Sequence, residues 1–301
     1  MAKLQYTFKT DVLFKLLFTK YPDLLKRLVT ELLDIAYESI ERFDITNPNI
    51  TPEELGEKFC RLDINMKIDS QIVDLEIQVS DEGNYPERAL FYWARDFSTG
   101  ISEGEDYALL PRTIIISILG FNQFNDPIKY HSEYQVLDII NHEPLTDKMV
   151  LHFFELDKLP PLDRANCNRD LWLQLFNSET EEDLNRIERM GVKVMREAIA
   201  AYHHIAASDE LRNLERMRSK ARHDEAQALK NAERKRDEHW QAVISEARHD
   251  EAQALKNAER KRDEHWQTVI SDKDAEIINK DAEIINKDAE IARLRALINK
   301  L

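Results

Sequence analysis

The segment from Phe59 to Val79, FCRLDINMKIDSQIVDLEIQV, alternates apolar and polar side chains twice, with a short polar break between the two halves. The first half sets Leu62, Ile64, Met66 and Ile68 on one face and Arg61, Asp63, Asn65 and Lys67 on the other. The second half sets Val73, Leu75, Ile77 and Val79 opposite Asp74, Glu76 and Gln78. A period of two is that of a half-buried strand, and Asp69-Ser70-Gln71 is short enough to join the two as a hairpin. Adjacent strands then bring Asp63 beside Glu76 and Gln78 on a polar sheet face. Carboxylates gathered there repel unless something cationic sits among them, and they can share a divalent cation.

The flanking segments extend this pattern into an α/β domain. From Lys9 to Ile35, apolar residues recur at helical spacing, with Pro22 placed to start a second helix. NPN and TPEE between Asp44 and Gly56 are turn material. Tyr85 to Gly100 reads as a helix after the break at Asp81-Glu82-Gly83-Asn84, and Thr113 to Leu119 is an apolar run suited to a central strand covered on both faces. Glu133–Ile140 and Lys148–Leu156 read as further strands, and Leu171 to Ile205 as mostly helix. The histidines His131, His142 and His152 have no ligand-like spacing and read as ordinary polar residues. These elements predict a mixed central sheet flanked by helices.

Several phrases in this domain resemble the PD-(D/E)XK nuclease superfamily, in particular its Rpn-like branch of recombination-promoting nucleases and transposases. They are Leu62-Asp63 followed by Glu76-Ile77-Gln78, KTDVLFKLLF from Lys9, ERALFYWARDF from Glu87, and YALLPRTIIISILGF from Tyr107. The resemblance implies a restriction-endonuclease-like core and a metal-dependent DNA endonuclease that hydrolyses phosphodiester bonds in recombination or transposition. It assigns Asp63, Glu76 and Gln78 to catalysis, with Gln78 standing where the superfamily has lysine. It implies Mg²⁺ or Mn²⁺ held by Asp63, Glu76, the backbone of Ile77 and, from the leading helix, Asp11. For Asp11 the alternative is a plain helix-start carboxylate. Arg88, Tyr92 and Arg95 fall at helical spacing and are candidates for DNA contact, against a reading in which the aromatics pack and the arginines lie over them. The competing class is a catalytically inactive DNA- or protein-binding module oligomerised by its tail.

Composition limits these readings. Among 301 residues, 57 Asp and Glu outnumber 42 Lys and Arg, for a net charge of −15. Lysine and arginine supply most of the non-specific affinity for nucleic acid, so a DNA partner requires a metal or a local basic rim. Cys60 and Cys167 form neither a disulfide framework nor a zinc spacing, which fits a reducing, cytoplasmic setting. The N-terminal segment lacks an export-signal core, and no run of eighteen apolar residues predicts a membrane span.

The character of the chain changes near Ser208, giving expected domains of 1–207 and 208–301. Ala221–Ser245 recurs as Ala247–Ser271, with Thr268 standing where the first copy has Ala242. A 26-residue offset turns the second copy by roughly 80° about a straight helix, so Leu229 and Leu255 do not share one stripe. Three sevens then follow, KDAEIIN twice and KDAEIAR, putting Ile277, Ile284, Ile291 and Ile298 at one heptad position. Lys280 and Lys287 hold the second seam position until Leu294 and Leu301 replace them, so the apolar seam closes only at the end. The tail reads as a long repeat helix, either a parallel coiled coil that makes a homo-oligomer or a lone charged helix. Its repeated His223/His249 and His239/His265 read as exposed, whereas Trp240 and Trp266 point to a contact with another chain or with the globular domain.

Overall fold

A computed structural model describes residues 2–49 and 63–298; Cys60, Arg61 and Leu62 fall outside the described residues. The first helical stretch resolves into α1 (Asp11–Lys20) and α2 (Pro22–Leu33). Pro22 begins α2 at a position whose missing N–H goes unused. The elements that follow are β1 (Phe43–Ile45), β2 (Ile64–Ile68), β3 (Gln71–Gln78), α3 (Tyr85–Ser98) and β4 (Thr113–Leu119). Next come β5 (His131–Tyr134), β6 (Met149–Glu155), α4 (Asn168–Asn177), α5 (Glu181–Arg189), α6 (Lys193–Ala206) and α7 (Asp209–Ile298).

Six strands form one mixed sheet in the order β1-β2-β3-β4-β6-β5. β3, β4 and β6 run parallel, while β1, β2 and β5 pair antiparallel toward the edges. All seven residues of β4 are buried, as expected for a strand with helices over both faces. On one face Ile64, Met66, Val73, Leu75, Ile116 and Phe154 pack under α1, α2 and α4–α6. Phe8, Phe14, Phe18, Trp172 and Phe176 fill that layer, and each large side chain removed from water contributes about 1.5–3 kcal/mol. On the other face α3 lays Tyr85, Ala89 and Trp93 over Ile115, Leu119 and Phe153.

Two sequence expectations change. The Asp44 turn region contains a short strand, β1, held by pairing Phe43 with Ile68 and Ile45 with Met66. The strand expected over Glu133–Ile140 is β5, which starts at His131 and stops at Tyr134. Its continuation is broken by Asp138, whose Oδ1 accepts from the N–H groups of Ile140 and Asn141 and folds the chain into a turn.

The chain divides into two compact units, one ending at Glu225 and one beginning at Ala226. Residues 209–225 of α7 belong to the first, where Leu211 is fully buried and Leu214 packs beside it. In the second unit, side chains from Ala226 to Arg295 are exposed apart from the half-buried Val269. Trp240 and Trp266 are each 56% exposed, and Ile277 and Ile284 each 55%. Ion pairs within one helix, Lys273 and Lys280 with Glu276 and Arg234 with Glu238, link side chains three and four residues apart along its exposed surface. Among the described residues no helix is long and apolar enough to cross a membrane.

His131 and His152 meet across β5 and β6, with His131 Nε2 3.0 Å from His152 Nδ1 and the His131 ring stacked on Phe154. Burial, with His152 and Arg169 nearby, lowers the pKa of His131 from 6.5 to about 4. The unfolded ring takes its proton near pH 6.5, so between these values the unfolded chain binds more protons than the folded one. The contribution to stability is therefore complete above pH 6.5 and is lost as pH falls to about 4. Thermal melts across this window should show His131→Phe with a shallower acid decline than the parent. Parallel declines would contradict the assignment.

Candidate active site

The site grows out of the pairing of β2 with β3. Ile64 opposes Leu75 and Asn65 opposes Asp74, and the same register carried one residue further sets Asp63 opposite Glu76. In the parallel direction Glu76 lies beside Ser117 of β4. Asp63, Asp74, Glu76 and Ser117 thus share the sheet face that α3 covers. Asp74 and Glu76 are each only 2% exposed.

Tyr85, the first residue of α3, is anchored into this face. Its hydroxyl lies 2.9 Å from both Glu76 Oε2 and Ser117 Oγ. One hydroxyl proton serves one bond at a time, so donation to the carboxylate leaves the Tyr85 oxygen to accept from Ser117. This bond fixes one oxygen of Glu76. Asp74, in contrast, is held well above the usual carboxylate range, first by burial and then by the negative charges of Asp63, Glu76 and Asp96. Arg95 sits close enough to oppose that effect, and the carboxylates Asp96, Asp63 and Asp74 raise its own pKa against the pull of burial.

An open cleft of about 730 Å³ lies at the carboxyl end of β3. Asp11, Asp63, Glu76, Ile77 and Gln78 all line it, bringing together the residues that the motif named as catalytic or metal-binding. Their states differ. The Gln78 side-chain amide donates to the Ser80 carbonyl at 2.8 Å. Asp11 is the first residue of α1, and its Oδ1 accepts from the Val12 N–H at 3.0 Å. Its carboxylate also faces Arg218 at 3.4 Å and Arg222 at 3.9 Å.

The proposed DNA-contact trio is carried by α3. Arg88, Tyr92 and Arg95 follow one face of α3, and none lines the cleft. Arg88 donates to Glu82 at 2.6 Å and lies over the Tyr85 ring. Arg95 lies 5.0 Å from the Tyr92 ring centroid and donates to Asp96 at 3.0 Å.

Sequence reasoning missed Tyr85, Ser117 and the cationic wall formed by Lys9, Arg218 and Arg222. Glu215 joins that wall, its carboxyl raised by burial and by Asp11. The spacing of 215, 218 and 222 marks one helical face, and that periodicity was the available signal.

Oxygen donors from Asp63, Glu76 and the Ile77 carbonyl suit a hard divalent cation. Among the described residues no three His, Cys, Asp or Glu side chains converge as a ready-made cage. Mg²⁺ keeps several of its waters and needs only one or two carboxylates, so this donor set fits it.

A sequence model of one family, the PD-(D/E)XK nuclease family transposases, matches residues 8–232. No curated protein and no solved structure matches the chain.

Proposed function

We propose, for a chain that belongs to the PD-(D/E)XK nuclease family transposases, a metal-dependent endonuclease that hydrolyses phosphodiester bonds of DNA during recombination or transposition. The observation that carries this reading is the convergence of Asp11, Asp63, Glu76, Ile77 and Gln78 on one cleft, although Asp11 lies far from the hairpin in sequence. Nucleases of this kind generally use divalent metals, and the oxygen donors described above fit Mg²⁺ or Mn²⁺.

Asp63 and Glu76 would hold the cation, with the Ile77 carbonyl and Asp11 as further candidate ligands. When bound, the ion supplies charge to the scissile phosphate and acidifies an attacking water. Tyr85 keeps one Glu76 oxygen oriented, so the carboxylate does not need to reorganise as negative charge develops. Gln78 carries a donor and an acceptor but no charge, which suits it to orienting the water or a phosphate oxygen. Arg88, Tyr92 and Arg95 remain candidates for flanking contacts to the DNA backbone.

The second unit supports a homo-oligomer. Ile277, Ile284 and Ile291 repeat at sevens and are roughly half exposed in the single chain, and a parallel partner helix would cover them. Sedimentation of the full chain should give a multiple of 35.4 kDa, while a chain ending at Glu225 should sediment as a monomer. A monomeric full chain would sink this part of the reading.

Supercoiled plasmid incubated with the full chain and Mg²⁺ should be nicked or linearised. EDTA should abolish cutting, and Glu76→Ala should reduce it by a factor on the order of 10² or more. Folded, metal-binding protein that retains DNA but never cuts it would favour the binding-module alternative.

A further inference from the structure

We propose that Lys9, Arg218 and Arg222 form a phosphodiester-binding wall of the cleft, with the two arginines carried there by the first turns of α7. This proposal rests on the DNA-directed reading of the cleft and assigns its basic rim. Leu211 is fully buried and Leu214 packs against the core, so α7 is docked along the first unit before it reaches the cleft. Steps of three and four residues then turn Glu215, Arg218 and Arg222 onto the cleft side, and all three line it.

Charge decides what this wall can meet. Among the described residues the cleft lining holds five carboxylates, Asp11, Asp63, Glu76, Glu82 and Glu215, against three cations, Lys9, Arg218 and Arg222. A polyanion entering an acidic protein with net charge −15 is repelled by most of that lining. Among the described residues the attractive part lies on this wall, which sets the side on which a DNA strand can lie. Gln78 brings no charge to the reacting centre, so among the described lining residues positive charge comes from this wall.

Arg222 is the more accessible of the two arginines, its side chain being 53% exposed against 11% for Arg218. Their separations from Asp11, 3.4 Å for Arg218 and 3.9 Å for Arg222, exceed the roughly 2.7–2.9 Å of a tight charge-assisted bond. Arg222 also lies 3.9 Å from Glu215. A guanidinium exposed at a cleft surface, as that of Arg222 is, can exchange a carboxylate for a phosphate, whose oxygens match its planar fork.

The test uses full-length Glu76→Gln protein in EDTA, so that binding is measured without cutting, by anisotropy of a labelled short DNA duplex across a NaCl series. Arg222→Gln should lower affinity roughly eight-fold near 0.1 M salt and reduce the log–log salt slope by about 0.9, and adding Arg218→Gln should roughly double the slope change. Asp11→Asn frees both arginines from their carboxylate and should tighten binding without reducing the slope. An unchanged slope in the double variant would overturn the proposal, as would Asp11→Asn weakening DNA binding as much as loss of the arginines. Should loss of Arg218 prevent folding, the slope of the single variant at the exposed Arg222 decides, and an unchanged value there overturns the proposal as well. Plasmid cleavage by the parent chain judges the nuclease reading separately, because this assay depends on neither metal nor turnover.

Discussion

Carboxylates inside a protein repel one another unless a cation or a proton accompanies them, and β3 carries two at 2% exposure. Antiparallel pairing with β2 aligns Asp63 with Glu76, and parallel pairing with β4 sets Ser117 beside Glu76. The fold answers that repulsion in three ways. Tyr85 hydrogen bonds to Glu76, Asp74 is shifted toward its neutral form, and Arg95 lies near Asp63 and Asp74. The apolar faces of β2 and β3 bind them to the large core on the opposite side, so the hairpin cannot turn its acidic face away without exposing that core. The concentration of charge is therefore imposed by the same register that packs the protein.

Alternation in β3 and the described part of β2, and the unbroken apolar run of β4, are local features, and for that reason these strands are legible from the residues alone. Asp63, Glu76 and Gln78 can be placed from the same pattern, because side chains two apart share a face. What escapes depends on contacts between distant segments. Arg218 reaches Asp11 across 207 positions of sequence, and no local period carries that information. β1 reads as turn material because three residues are too few to show alternation, and its existence depends on pairing with β2. Tyr85 can be read as packing, but its hydroxyl bond to Glu76 requires the placement of α3 over the sheet.

Helix α7 illustrates how composition misleads when it changes gradually. Its charged, repetitive character begins near Ser208, yet Leu211 and Leu214 pack with the first unit and residues 215–222 line its cleft. Only beyond Glu225 does the helix form a separate compact unit. The segment that looks like the start of a tail thus also completes the cleft. Its arginines supply positive charge on a lining where carboxylates predominate.

Calorimetric titration of Mn²⁺ into the full chain, beside Asp63→Asn and Glu76→Gln, tests most directly whether the paired strands form a cation site. The parent chain should give a saturable heat and each variant at least roughly tenfold weaker binding, since each substitution removes a charged oxygen ligand. An isotherm unchanged by both substitutions, or no binding by the parent chain, would contradict a cation site on these strands.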